Sequence, residues 1–340
     1  MDSPLRERVE SMLSRYSSWP SHFSLAFERG RAESPALRPR ALVICGMGTS
    51  ASAAEHAAEI LGEAGASIPV FTVRSYEPPA WLSSSDFVVA VSYSGNTWET
   101  LECARRAASR RAGMAVIVSG GRLASLAAEG GWRIVRVEPG EYGRTSMAYL
   151  LGGILGVASE ASGAPGRVDE LAGHVLEAFK SSKPGEVEGV ARSIGSADFV
   201  AVASCGRMAP ASRWWRTELA ENTKVTARDD AFPESGHNDV VALQVKPRFR
   251  GLLVSIHNPD DKPCEAMLRT AESLYERASY SIERLVLEGP SLAYKLGRSL
   301  ILAGYASTIA AGYRGVDPHE TPNLSEYKEG VSRLAGSPTV

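Results

Sequence analysis

The chain has 340 residues with 44% apolar and 22% charged side chains, the composition of a folded globular protein long enough for two ordinary domains. A formal net charge of −2 gives no global attraction to nucleic acid or anionic membrane, so neither is expected as a partner and any anion recognition must be local. No stretch approaches the ~18 uninterrupted apolar residues of a membrane span, and "MDSPLRERVESML" has no apolar core behind its charges; a cytoplasmic protein is expected.

In chain order, "RALVICGMG" (40–48) reads as a strand and tight turn, and "TSASAAEHAAEILGEAG" (49–65) as a helix closed by Gly65. "IPVFTV" and "DFVVAVS" follow as strands, "NTWETLECARRAASRR" as a helix, and "MAVIVS" and "WRIVRV" as two more strands. The helix "SMAYLLGGILGVASE" completes the first half. The plan then recurs. "DFVAVASCGRMAPASRWWRTELAENTK" (198–224) lies on the stretch from Ala41 with an offset of 160, so that Cys205-Gly206 falls on Cys45-Gly46. "GLLVSIHNPDD" (251–261) shadows "FVVAVSYSGNT" and aligns Ser255 with Ser92. "DVVAL" reads as strand-like, "ERLVLEG" as a further strand, and "SLAYKLGRSLILAGYASTIAAGYRG" as the closing helix. A repeat of half the chain indicates duplication of one α/β unit, with subdomains expected at 1–163 and 164–340.

The copies differ in their turns. "GTSAS" and "SYSGNT" carry hydroxyls and glycine where copy two has "RMAPAS" and "SIHNPDD". Structural need would act on both copies alike, so the asymmetry points to a ligand in copy one. Both turns follow strands and open helices, where unpaired N–H groups and the macrodipole favour an anion. Thr49 and Ser50 in the first, and Ser92, Ser94 and Thr97 in the second, are uncharged donors suited to a phosphate; helix capping is the plainer role for any one of them. "GMGTSA" also fits a dinucleotide fingerprint, but the next strand ends in Arg74 rather than an acid, which leaves only a reduced NADP reading.

Polar residues that a core does not require lie in several places. They are Glu221 in "TELAENTKV", His237 in the loop "FPESGHNDVVAL", Arg144 in "EYGRTSMAY", and Thr321 and Lys328 in "DPHETPNLSEYKEGV". A carboxylate base, a proton-moving histidine or lysine and an arginine suit the isomerisation of a sugar phosphate through an enediolate. No cofactor and no metal are expected. The four cysteines are scattered without a CxxC, which argues against zinc; buried free thiols are the plain expectation, with a disulfide open to a chain from a hyperthermophile.

"GMGTSAS" and "VSYSGNTWETL" resemble the paired signatures of the SIS (sugar isomerase) domain, and "ELAENTKV" and "ESGHND" resemble segments of the archaeal-type bifunctional phosphoglucose/phosphomannose isomerases, over about Pro20 to Lys328. The resemblance implies two tandem flavodoxin-like, doubly wound parallel-sheet subdomains. It implies phosphate-binding hydroxyls at Ser50, Ser92, Ser94 and Thr97 and a base at Glu221. It implies a ring-opening histidine at His237 supplied by the partner of a homodimer, an enediolate-stabilising Arg144, and Lys328 near the ring oxygen. Thr321 matches the threonine associated with accepting the mannose configuration. Thr49 stands where the family usually has a second glycine, and no proline precedes Arg144. Another sugar-phosphate isomerase is the nearest alternative, and a non-catalytic sugar-phosphate-binding regulator the rival from a different class. The ~40 residues before the first strand leave no expected room for the helix-turn-helix of such a regulator, nor for a glutaminase domain.

Overall fold

The computed structural model describes residues 3–36 and 38–334. The chain divides into two compact units. One holds α1 (Ser3–Ser17) together with Glu177–Glu320; the other runs from Ser18 to Leu176 and takes in the described residues from Thr321 onward. Where a boundary at 163/164 is expected, the units divide between Leu176 and Glu177, and α1 falls with the second repeat. It buries Val9, Met12 and Tyr16, and Tyr16 lies so close to Gly304 that a Cβ there would sit 2.3 Å from its ring.

The unit of the first repeat is built on five parallel strands: β1 (Leu42–Gly46), β2 (Val70–Val73), β3 (Phe87–Val91), β4 (Gly113–Val118) and β5 (Arg133–Arg136), in the order β2-β1-β3-β4-β5. The central strands are buried throughout, as their unbroken apolar runs require of a sheet covered on both faces. α2 (Trp19–Ala32), α3 (Thr49–Glu63), α4 (Trp98–Ser109), α5 (Gly121–Glu129) and α6 (Met147–Ala161) complete the unit up to α7 (Pro165–Ser181), within which the boundary falls. α6 is buried at every residue but Glu160, and α2 packs against it backbone to backbone: a Cβ on Gly156 would sit 2.3 Å from the Phe27 carbonyl.

The unit of the second repeat follows α8 (Glu188–Ser196) with β6 (Phe199–Cys205), α9 (Ala209–Glu218), β7 (Thr226–Phe232), β8 (Gly251–His257), α10 (Lys262–Arg277), β9 (Ser281–Val286) and α11 (Leu292–Arg314). Its parallel order, β7-β6-β8-β9, repeats the first four positions of the other sheet. The duplication read from the sequence is therefore a duplication of topology.

Two local expectations are corrected. "DVVAL" is not a strand: Asp239–Gln244 forms a 3₁₀ turn with Val241 more than half exposed. The strand of this region is β7, whose charged sequence "TARDDAF" hides it; as an edge strand it pairs only with β6 and tolerates polar residues. Cys45 and Cys103 are buried free thiols, but Cys205 and Cys264 form a disulfide. The end of β6 faces the first turn of α10, bringing the two Cα atoms to 5.5 Å, within bridging range.

Candidate active site

In the first unit, β1 and β3 are neighbours in register, with Gly46 opposite Val91. The chain leaves β1 toward β2 on one side, while β3 lies on the other, so the crevice beyond their carboxyl ends is the topological switch point of the sheet. Both hydroxyl-rich turns open there. Gly48, at a φ of 55°, starts α3 with Thr49 and Ser50 in its buried first turn. Across the crevice, Ser92 is buried and its hydroxyl lies 3.0 Å from that of Thr97.

Capping does not account for these hydroxyls. Thr97 occupies the N-cap position of α4 yet makes no side-chain cap bond, and α3 begins from a glycine without one. The amide dipoles of both helix starts thus face the crevice without an internal anion-like acceptor from the cap. Ser94 is exposed, and its hydroxyl accepts from the Asn96 amide at 3.3 Å.

A backing turn at the end of β4, not singled out in the sequence, holds "SGNT" in place. Asn96 Oδ1 accepts from the Arg122 amide at 3.0 Å, and the Gly95 carbonyl accepts from Leu123 N at 2.9 Å. Gly95, at φ 68°, passes so near this turn that a Cβ would sit 1.9 Å from the Gly120 oxygen. Tyr93 carries no distinguishing sequence signal either. Its hydroxyl donates to the Glu138 carbonyl at 2.8 Å and accepts from the Glu141 amide at 2.8 Å.

Arg144 opens the 3₁₀ turn Arg144–Ser146 before α6 and is 2% exposed, with its guanidinium carbon 5.1 Å from the Tyr142 ring centre. Lys328 is exposed on α12 (Pro322–Leu334), and Thr321 precedes that helix, its carbonyl accepting from Leu324 N at 3.2 Å. Arg74, the basis of the dinucleotide reading, is paired with Glu55 at 2.7 Å.

In the second unit, α9 widens into a π-helical turn, Leu219–Thr223, which carries half-buried Glu221. Such widenings are rare and recur at functional sites. A buried polar network surrounds this one. Asn222 Nδ2 donates to Tyr16 Oη at 3.1 Å, Glu218 Oε2 at 3.1 Å and Ser307 Oγ at 2.9 Å, while the Tyr16 hydroxyl donates to Glu218. Lys224, in the left-handed region at φ 57°, closes the turn and donates to the Glu221 carbonyl at 2.6 Å.

His237 ends the 3₁₀ turn Glu234–His237, exposed at the rim of an apolar cavity of about 380 Å³ that Phe232, Met267 and Leu274 also line. Glu221 precedes β7 and His237 follows it, and the seven residues of that strand span about 20 Å.

At the switch point of the second sheet, the turn after β8 is tied by charged and polar side chains of the same unit. Lys295 Nζ donates to Asn258 at 2.7 Å and is paired with Asp260, and Asp261 caps α10 by accepting from Cys264 N at 3.2 Å. His257, at the end of β8, lies 2.8 Å from Glu265 and 2.8 Å from Glu272. Burial works against charge on this imidazole, but the hydrogen bonds to Glu272 and Glu265 prevail and raise its pKa. Glu272 is desolvated too, yet its bonds to His257 and Arg284 hold it down to about 2. Among the described residues no group of three or more His, Cys, Asp or Glu is placed to hold a metal, and no helix is long and apolar enough to cross a membrane.

The chain is 33% identical over 329 residues to the bifunctional phosphoglucose/phosphomannose isomerase of Aeropyrum pernix, an alignment covering 92% of this chain and 96% of that protein. It belongs to the bifunctional phosphoglucose/phosphomannose isomerase family. The family member of Thermoplasma volcanium is 28% identical over 86% of this chain and 91% of its own. The model of the bacterial phospho-glucose isomerase C-terminal SIS domain matches residues 186–331. The fold is that of hypothetical protein TT0462 from Thermus thermophilus, with a TM-score of 0.74 at 18% identity over 97% of this chain and 94% of the other. The two parallel α/β sheets give the tandem fold that the sequence resemblance implies, and the SIS-domain match falls on the second of them.

Proposed function

We propose that the protein interconverts glucose 6-phosphate and mannose 6-phosphate with fructose 6-phosphate through a cis-enediol(ate). The observation that carries the reading, beside family membership, is the pair of hydroxyl-lined helix starts without side-chain caps at the β1/β3 switch point. Thr49, Ser50, Ser92, Ser94 and Thr97 hold the phosphate there, a grip distant from the reacting carbons that positions the sugar.

Glu221 is the base. It takes the proton from C2 of the opened aldose and returns it to C1, while the hydroxyl proton moves from O2 to O1; such transfers supply about 10²–10⁴-fold. Arg144 stabilises the enediolate oxygens as charge develops on them. His237 and Lys328 move protons during ring opening, and Thr321 accommodates the axial hydroxyl of the mannose epimer. The enediol has lost its stereocentre at C2, so both aldose phosphates share one intermediate, and rotation about C2–C3 lets one base serve both.

His237 is proposed to act in the site of a second copy of the chain. What supports this is that β7, a strand spanning about 20 Å, runs between Glu221 and His237. A coupled assay offered fructose 6-phosphate tests the activity and is expected to yield both aldose phosphates. Binding of fructose 6-phosphate without either product would favour a sensor instead. The base is tested by deuterium exchange at C2 of both aldose phosphates. Glu221→Gln is expected to abolish exchange, and exchange at the wild-type rate would remove Glu221 from the role.

A further inference from the structure

The residue between the two serines of "SYS" reaches far from its own turn. Tyr93 donates its hydroxyl proton to the Glu138 carbonyl at 2.8 Å and receives the Glu141 amide proton at 2.8 Å, spanning 45 and 48 residues of chain. At its other end its carbonyl is fixed by Ser119, from the amide at 2.8 Å and from the hydroxyl at 2.7 Å.

The segment that Tyr93 grips leads directly to Arg144. Thr145 donates to the Glu141 carboxylate and accepts from the Tyr142 amide at 3.0 Å, and its carbonyl takes the Trp19 indole proton at 2.8 Å. The Arg144 guanidinium lies over the Tyr142 ring. A continuous set of hydrogen bonds therefore joins the turn bearing Ser92 and Ser94 to the turn bearing Arg144, with the Tyr93 phenol as the link between them.

We infer that Tyr93 is a positioning residue that ties the placement of Arg144 to the phosphate-holding turn. The inference rests on the roles proposed above for that turn and for Arg144. A phenol held by one carbonyl and one amide fixes the loop at two points, and a guanidinium that must meet a developing negative charge loses much of its effect when displaced by about 1 Å. Tyr93 itself touches neither phosphate nor enediolate in this scheme. It acts through Arg144.

The test is a double-mutant cycle with Tyr93→Phe and Arg144→Ala. Tyr93→Phe keeps the ring and removes both bonds; it is expected to lower kcat roughly tenfold with little change in KM, and Arg144→Ala to lower kcat about 10²–10³-fold. The double variant is expected within about twofold of Arg144→Ala alone, because Tyr93 has nothing left to position. The inhibition constant of inorganic phosphate, which reads the hydroxyl turns alone, should be unchanged by Tyr93→Phe, and circular dichroism and the melting curve should confirm an intact fold.

Losses that multiply in the double variant would overturn the inference while leaving the role of Arg144 standing. So would a phosphate inhibition constant that rises as far as kcat falls, since Tyr93 would then act on the phosphate turn. Full activity in Arg144→Ala would instead remove the arginine's proposed role, and the inference with it.

Discussion

Replacing Gly95 by alanine tests how the turn proposed to hold the phosphate is seated. Gly95 sits at φ 68°, a conformation that costs a residue with a Cβ roughly 1–2 kcal/mol. The added methyl would lie 1.9 Å from the Gly120 carbonyl oxygen, where real Cβ atoms essentially never approach below 3.0 Å, so the two turns must part by about an ångström. That movement breaks the bonds from Leu123 N to the Gly95 carbonyl and from Arg122 N to Asn96, each contributing about 1 kcal/mol. The sum is about 3–4 kcal/mol of stability.

Gly65→Ala is the matched control. Gly65 has φ 76° but nothing within 4 Å of the added methyl, so this variant bears the backbone cost alone, about 1–2 kcal/mol. Urea unfolding measures both. In the coupled assay Gly95→Ala should raise the KM for fructose 6-phosphate at least ~tenfold, since displacement by about 1 Å is enough to spoil positioning, while Gly65→Ala should leave KM alone. If the two variants lost equal stability and shared the wild-type KM, the tight seat of the turn would be irrelevant to substrate binding.

Three further outcomes follow from the second unit. Cys205→Ser, or reduction of the disulfide, opens a link across 59 residues and should cost about 4 kcal/mol on loop entropy, read as a shift of the unfolding midpoint with and without reductant. His257 has its pKa raised above the ordinary 6.5, so the stability it contributes is fully present below 6.5 and is lost as pH rises through its folded value; denaturation at pH 6 and pH 9 should show a decline that His257→Gln removes. Glu272, held at about 2, contributes in the opposite sense: its share is present above the ordinary carboxylate range and disappears as pH falls toward 2, so Glu272→Gln should flatten the acid limb of the stability curve.

What the sequence disclosed, it disclosed through strong local patterns. Unbroken apolar runs such as "LVICG" and "FVVAV" fit central strands of a covered parallel sheet and little else, and the glycine and hydroxyl clusters at their ends marked the switch point. What stayed hidden depends on long-range partners. β7 is an edge strand whose charges meet neighbours such as Tyr275 and Arg216, which no local pattern reveals. In the π-helical turn that carries Glu221, Asn222 meets Tyr16 from the far N-terminus and Ser307 from α11. The disulfide pairs cysteines 59 positions apart, and Tyr93 reads as an ordinary turn residue until its bonds to Glu138 and Glu141 are seen.

The two copies also explain each other. Each sheet has a crevice where its strand order reverses, and a crevice lined by helix starts attracts negative charge whether or not a ligand comes. In the second copy that demand is met from within: Asp261 caps α10, and Asp260 takes Lys295 as its partner. In the first, Gly48 replaces a capping side chain and the Thr97 hydroxyl turns to Ser92 rather than to its own helix. Adding a carboxylate there should therefore act as a substitute ligand. Ser94→Asp is expected to abolish inhibition by inorganic phosphate while leaving the fold as stable as wild type or slightly more so, by about a few tenths of a kcal/mol, because the charge settles into the field of the helix starts. A marked loss of stability would show that the crevice does not favour an anion, and the assignment of the phosphate to these turns would fall with it.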